Sequence, residues 1–211
     1  MRLTATILAM SALGILGAAG PSSAGVVLSD NFDSDAAMLN WSGDASFSSI
    51  DSPASTDLVS NGTYGITCFG GAGGCVDLDG TTGSGNNPAG VLRSNAAFAA
   101  GSYILSFELS GNQRGATAQT TSVSLGNFSH SFTLASGAPF ATEDFNFATT
   151  GGNLTFTEHG PSDQQGNILD DVTLSLNSAV PEPGAWALMI LGIGGVGAAL
   201  RKSKMIGARA F

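Results

Sequence analysis

Few residues of this 211-residue chain are of the types that carry out acid–base catalysis. The densest group lies in the sequence TEHGPSD, where Glu158, His159 and Asp163 are close together in the chain. A carboxylate beside an imidazole is a common arrangement for general acid–base hydrolysis. Neither a Gly-x-Ser-x-Gly sequence nor a phosphate-binding glycine loop accompanies the group. We therefore expect no catalytic residue and no enzyme, and a hydrolase using these three residues is the weakest functional alternative.

The two cysteines, Cys68 and Cys75, enclose the sequence FGGAGG. Redox-active pairs are usually spaced by two residues, and a metal site needs more ligands than this loop offers. In an exported chain a close cysteine pair usually forms a disulfide, and the glycines let a short loop close. We expect Cys68 and Cys75 to be bridged and to fix one loop.

One carboxylate is predicted to be buried. In ILDDVTLSL, alternation places Asp170 on the face that also carries four apolar side chains, those of Ile168, Val172, Leu174 and Leu176. A buried charge needs a partner cation or a metal ion. The alternatives are a bound ion, a pair with Arg93 or Arg114, or a position at the strand entry where Asp170 caps the preceding turn.

Apolar and polar residues alternate through the middle of the chain, and this pattern predicts the strands that would position the residues named above. It is clear in SYILSFELSG, TTSVSLG, NFSHSFTL and NLTFTEHG, and clusters of Gly, Ser, Asn and Pro separate the runs. Many short strands that each bury one face are typical of an all-β sandwich. We predict that residues 25–176 form this β-sandwich ectodomain.

The charge of the central region is strongly acidic. Residues 25–180 contain fifteen Asp and Glu but only Arg93 and Arg114 as cations, which gives a net charge of −13. Such a surface repels phosphate backbones, so nucleic-acid binding is excluded as a function. It would attract divalent cations or keep the chain soluble.

Apolar segments stand at both ends of the chain. Residues 1–24 have one cation, Arg2, followed by an apolar run and small residues, which is the layout of a secretory signal-peptide helix. Near the other end, a linker (177–183) precedes a predicted transmembrane helix with its basic stop (184–204). Its sixteen apolar or glycine residues would extend about 24 Å as a helix. By the positive-inside rule, Arg201, Lys202 and Lys204 would remain cytoplasmic with the tail 205–211.

The C-terminal segment resembles the PEP-CTERM sorting signal of Gram-negative bacteria. The resemblance rests on the residues Pro181, Glu182, Pro183, Trp186 and Ala187, on the apolar span and on the basic cluster. It implies a precursor that is anchored in the inner membrane by the tail. It further implies processing by an exosortase near Pro-Glu-Pro, followed by release or attachment to the cell surface. Many such proteins accompany exopolysaccharide production.

The ectodomain resembles jelly-roll carbohydrate-binding modules with a galactose-binding-domain-like fold. The similar stretches, in order, are NFDSDAAMLNW, VDLDGTTG, AAGSYILSFELSGNQRG and GNILDDVTL. In that family an acid on the first strand and one on the last often hold a structural calcium ion. The matching residues here are Asp33 and Asp170, so the resemblance implies a calcium site between them, with no other cofactor expected.

Two non-catalytic functions are favoured over a hydrolase. The first is an exported surface or matrix protein that binds polysaccharide. The second is a structural or adhesive envelope protein without a defined ligand.

Overall fold

The structure is a computed structural model. Residues Ala24–Ser178 form one compact unit. The residues that the structure describes are 25–50, 56–81, 89–115, 117–160, 163–177, 187, 190–195 and 201. The predicted signal peptide, most of the predicted linker and most of the predicted transmembrane segment lie outside these residues.

Twelve β-strands lie within the described residues. In chain order they are β1 (Gly25–Asp30), β2 (Met38–Trp41), β3 (Phe47–Ser49), β4 (Thr56–Ser60), β5 (Gly74–Asp77), β6 (Val91–Phe98), β7 (Gly101–Ser110), β8 (Gln119–Leu125), β9 (Phe128–Leu134), β10 (Ala141–Thr149), β11 (Gly152–Glu158) and β12 (Ile168–Leu176). Two short 3₁₀ turns, Thr63–Gly65 and Phe69–Gly71, lie between β4 and β5.

The strands form two antiparallel sheets. The larger sheet has the order β10-β7-β12-β5-β4-β2, with β1 paired to β12, and the smaller sheet has the order β3-β6-β11-β8-β9. Alternating burial along β8 and β11 shows that one face of the smaller sheet is turned inward. The inward side chains of both sheets form one aromatic and aliphatic core, in which Phe107 meets Phe156 edge to face at 5.1 Å. The predicted all-β jelly-roll sandwich is therefore confirmed.

A β-bulge in β12 divides that strand into two halves. Asp170 pairs with Glu108 and Thr173 with Ser106, so β12 contains one residue more than β7 between these pairs. The extra residue is Asp171, whose φ of 48° lies in the left-handed region. The strand parity predicted from the sequence is therefore wrong across the bulge. Leu169 shares the main core with Val172 and Leu174, whereas Ile168 packs in a second apolar cluster outside it.

Candidate functional site

The second apolar cluster surrounds the disulfide. Cys68 and Cys75 are bonded, with their Cα atoms 5.5 Å apart, which confirms the predicted bridge. Both cysteines are fully buried and pack with Val59, Ile66 and Ile168. The bridge ties the segment 61–73, which we call the disulfide loop, to strand β5.

Gln113 braces the disulfide loop from outside it. Its carboxamide accepts from the backbone N–H of Thr67 and donates to the Thr67 carbonyl, both at 2.8 Å. Inside the loop, the Asn61 side chain accepts from the backbone N–H of Cys68 and donates to the Gly71 carbonyl. The loop is therefore held by the disulfide and by two carboxamide side chains, although it has little regular structure.

Asp170 is buried, as the sequence predicted, and it lies under the disulfide loop. Its side chain is 3% exposed. Oδ2 accepts from the backbone N–H of Phe69 at 3.0 Å, and Oδ1 accepts from the N–H of Asp171 at 2.9 Å. Burial raises the pKa of Asp170 to about 7, and the charges of Asp171 and Asp33 also raise it. The carboxylate therefore has hydrogen-bond donors but lies among other acids.

The arginine alternative for Asp170 is wrong for the described residues. Arg114 instead forms an ion pair with Asp77, which is completely buried at the end of β5. Burial raises the pKa of Asp77 to about 7, although the guanidinium of Arg114 acts in the opposite direction. Arg93 is exposed on the smaller sheet, and among the described residues it forms no ion pair.

Asp33 lies directly against the glycines that precede Cys75. Its Oδ1 accepts from the backbone N–H of Gly74 at 2.9 Å, and its Oδ2 accepts from the Asn31 side chain. A Cβ atom added to Gly73 would stand 1.6 Å from Asp33 Oδ1, so this contact requires glycine. Burial raises the pKa of Asp170 and that of Asp171, and the negative charge of Asp33 acts on both in the same direction.

Two further acids that sequence reasoning did not single out organise the loops after β5. Oδ2 of Asp79 accepts from the backbone N–H groups of Asp163 and Gln164, both at 2.8 Å. Asp57 on β4, the cross-strand partner of Asp77, accepts from the backbone N–H groups of Asn40 and Thr81. The burial of these two acids is hard to predict from the sequence, because polar residues at the ends of strands usually lie in solvent.

An open cleft of about 470 Å³ carries three more acids, Asp30, Asp35 and Asp44. Burial raises the pKa of Asp30 to about 6, and the neighbouring Asp44 raises it further. Asp44 accepts from the backbone N–H groups of Ser46 and Phe47, which closes the turn before β3. The sequence did not single out this cleft, since Asp30 ends β1, Asp35 lies in the loop after it and Asp44 lies before β3.

The predicted acid–base group is not assembled. Glu158 is buried between the sheets, whereas the ring of the exposed His159 lies on the other side of the smaller sheet, 2.7 Å from the Ser122 hydroxyl. Asp163 is exposed on the loop that Asp79 holds. Because Glu158 and His159 face opposite sides, these residues do not form a catalytic site.

The aromatic residues differ in exposure. Trp41 and Tyr103 are buried in the core, where they cannot stack on a ligand. Tyr64 is 56% exposed and Phe69 is 41% exposed, and both belong to the disulfide loop. Phe69 also contacts Phe140 edge to face at 5.8 Å between ring centroids. The loop therefore presents apolar rings on a braced segment.

Most of the predicted sorting residues, namely Pro181, Glu182, Pro183, Trp186, Lys202 and Lys204, lie outside the described residues. Ala187, residues 190–195 and Arg201 are helical and exposed. In the parts of the chain that the structure describes, no helix has both the length and the hydropathy required to cross a membrane.

Comparison with known families identifies this tail. Residues 179–204 match the PEP-CTERM protein-sorting motif. The motif indicates an exported protein that is sorted after export, and it confirms the resemblance seen in the sequence. It covers the tail only and leaves the sandwich unassigned.

Solved structures are similar to the sandwich. The K1 cleaved adhesin domain of Lys-gingipain from Porphyromonas gingivalis W83 is 16% identical and has a TM-score of 0.54, over 72% of this chain and 98% of that one. The K3 domain of the same protein is 15% identical, with a TM-score of 0.51 over 72% and 99%. The CBM22-1 xylan-binding domain of Paenibacillus barcinonensis Xyn10C is 10% identical, with a TM-score of 0.47 over 76% and 100%. No curated protein matches the chain. At these identities the likenesses concern the fold alone.

Proposed function

We propose that the protein is an exported, non-catalytic surface or matrix protein whose sandwich binds polysaccharide. The observation that carries the proposal is the PEP-CTERM motif at residues 179–204, directly after a compact β-sandwich. An exosortase is the processing partner, and it acts near Pro181–Glu182–Pro183. Proline has no backbone N–H and disfavours a helical residue before it, which suits a sequence that a processing enzyme must bind. Before processing, the tail anchors the precursor in the inner membrane.

The proposed polysaccharide site is the exposed part of the disulfide loop. Tyr64 and Phe69 offer flat apolar rings, against which the apolar faces of sugar rings can pack. The disulfide and the Gln113 brace hold the loop before a ligand arrives, so little conformational entropy is lost on binding. The net charge of −13 on residues 25–180 disfavours polyanions, so the ligand is a neutral polysaccharide.

Affinity electrophoresis of the detergent-solubilised full chain tests this site. Neutral and acidic polysaccharides are cast into parallel gels. We expect retardation by a neutral polymer, and we expect Tyr64→Ala and Phe69→Ala each to weaken it about tenfold, which is the scale for an aromatic contact residue. Met38→Ala is the matched control, since Met38 is also exposed and apolar but lies on β2. Equal retardation of all four proteins would contradict the proposed site.

A structural calcium ion at Asp33 and Asp170 is part of the proposal. The carboxylate oxygens of Asp33 and Asp170 are ligands of the kind that calcium prefers, and the negative charges of Asp171 and Asp33 both act on Asp170. The sulfur atoms close to Asp170 belong to the disulfide and cannot act as thiolate ligands. A calcium ion there would balance the clustered negative charge and tie the disulfide loop to β12.

Chelation tests the calcium site. A chelator should lower the melting temperature of the wild type, and this decrease should be smaller in Asp170→Ala. The substitution itself should lower the free energy of unfolding by about 3 kcal/mol, because it breaks a buried interaction. The control is Asp171→Asn, which keeps a side chain that tolerates the left-handed backbone. An unchanged chelator effect in Asp170→Ala would exclude calcium from this position.

An adhesive protein without a glycan ligand is the second candidate. The similar structures with TM-scores above 0.5 include domains titled as adhesin domains of Lys-gingipain. Absence of retardation by every polysaccharide, together with binding of the protein to envelope fractions, would favour this candidate over the first.

A further inference from the structure

The space between the two sheets is polar at one end. Along β8 and β11 the inward positions are apolar at Val123, Leu125, Leu154 and Phe156, but the same faces end in Gln119, Thr121 and Glu158. Asn167, the residue before β12, reaches the same space, because its side chain donates to the Thr121 hydroxyl. All four polar residues are at most 3% exposed. We call Gln119, Thr121, Glu158 and Asn167 the polar core end.

A single hydroxyl group joins the two sheets in the polar core end. Asn167 Nδ2 donates to Thr121 Oγ1 at 2.9 Å, and the Thr121 hydroxyl donates in turn to Glu158 Oε2. Thr121 and Glu158 are direct cross-strand partners in the smaller sheet. The carboxylate of Glu158 and the carboxamide of Asn167 are thus both fixed to the same atom, which places their remaining oxygens in the same small region.

Three side-chain oxygens in the polar core end are buried without a hydrogen-bond partner among the described residues. They are Glu158 Oε1, Asn167 Oδ1 and Gln119 Oε1. A buried unpaired polar atom costs about 1–3 kcal/mol, and more when it is charged. The Nε2 amide of Gln119, a donor, is also buried without a partner among the described residues. Three acceptor oxygens against one such amide leave an excess of acceptors, which a cation between the sheets would satisfy.

The electrostatic surroundings favour a cation over a neutral donor. The charges of Asp77 and Asp79 act on Glu158, and both of these acids are buried. The single ion pair among the described residues, Arg114 with Asp77, leaves Glu158 without a basic partner. A water molecule could donate two hydrogen bonds here, but a cation would in addition stabilise the charged form of Glu158.

The neighbouring loops close tightly over this region. A Cβ atom added to Gly160 would stand 1.4 Å from Gln119 Oε1, and one added to Gly166 would stand 2.3 Å from the backbone nitrogen of Asp79. Glycine at both positions lets the chain approach the polar groups closely. The enclosure excludes bulk solvent, which strengthens any interaction between the carboxylate and an ion.

We propose that Glu158 and Asn167, with Gln119 beside them, bind a hard divalent cation between the sheets. Carboxylate and carboxamide oxygens are the ligands that calcium prefers, so calcium is the ion to which we assign the site. The ion would connect the last residue of β11 to the residue before β12. This site is separate from the one proposed at Asp33 and Asp170, because the two sets share no residue.

Isothermal titration of the detergent-solubilised full chain with CaCl₂ tests the proposal. We expect Glu158→Gln to remove one equivalent of bound calcium, since it keeps the shape of the side chain but removes its charge. Asp163→Asn is the matched control, because this exposed acid follows β11 in the chain and its loss should leave the stoichiometry unchanged. An unchanged number of calcium ions in Glu158→Gln would overturn the proposal, whether or not calcium binds at Asp170.

A second measurement does not depend on the folding of a variant. Crystals of the wild-type chain are soaked in MnCl₂, and anomalous scattering locates the metal. We expect a peak between Glu158 Oε1 and Asn167 Oδ1, within about 2–2.6 Å of each, which is the range for hard cations with oxygen ligands. A Mn²⁺ peak at other acids, with none at this position, would overturn the proposal.

Discussion

At the scale of single residues, the sandwich stabilises its buried acids in different ways. Asp170 and Asp79 accept from backbone N–H groups, and Asp77 accepts from two such groups and also has an arginine partner. Hydrogen bonds favour the charged form of a carboxylate, but burial opposes it, and burial is the first cause of the raised pKa of each of these acids. The two arginines of the ectodomain consequently have different roles, and this difference can be tested.

Arg114→Ala should destabilise the protein far more than Arg93→Ala. Loss of Arg114 leaves Asp77 buried without its cation, which costs about 3 kcal/mol in unfolding free energy at pH 8. The cost should be smaller at pH 5, because Asp77 is then protonated. Arg93 is exposed and without an ion pair among the described residues, so its loss should change the free energy by less than about 0.5 kcal/mol. Urea denaturation of both variants measures this, and equal effects would contradict the account.

At the scale of elements, alternation predicted the strands well but could not predict their irregularities. The inward faces of β8 and β11 follow the sequence pattern closely. The bulge at Asp171 shifts the inward face of β12 by one residue. The alternation of apolar and polar residues does not indicate where such a left-handed residue interrupts a strand. Asp170 is buried as predicted, but by the disulfide loop outside the larger sheet and not by the main core.

The candidate site was predictable only where its partners are close in sequence. Cys68 and Cys75 are seven positions apart, and their pairing followed from that spacing. Arg114 and Asp77 are separated by 37 positions, and Thr121 and Glu158 also by 37. Only the strand register of the folded protein brings such residues together, so the polar core end could not be recognised as one site from the sequence.

Reduction of the disulfide should loosen the disulfide loop but leave the smaller sheet intact. A bridge across so short a segment contributes about 2–3 kcal/mol in the chain-entropy description. Amide hydrogen exchange of the reduced chain should therefore increase in residues 61–73, including the Phe69 N–H that donates to Asp170. Exchange in β8 and β11 serves as the internal control. A similar increase in those strands would show that the bridge supports the whole sandwich.

At the scale of the whole molecule, the buried acids give stability a definite pH dependence. Burial raises the pKa of Glu158 to about 8, those of Asp77 and Asp170 to about 7, and that of Asp30 to about 6. Each value lies above that of the unfolded chain, so the folded protein binds more protons between about pH 4 and pH 8. The resulting stability is present at low pH and is lost as the pH rises through these values.

In the presence of a chelator, the melting temperature should therefore fall as the pH rises from 5 to 8. Glu158→Gln should flatten the part of this curve near pH 8, because its carboxamide does not titrate. Differential scanning calorimetry across this range measures both effects. A melting temperature that rises toward pH 8 without added cations would mean that the buried acids are stabilised in their charged form.

The central claim is that this chain is an exported sandwich delivered by a sorting tail. Its most direct test is the intact mass of the protein recovered from two otherwise identical hosts, one with and one without an exosortase. We predict a chain that begins at Gly25 in both hosts. In the exosortase host it should end near Pro181–Glu182–Pro183, and in the other host it should continue to Phe211. A chain that extends to Phe211 in both hosts would contradict the account.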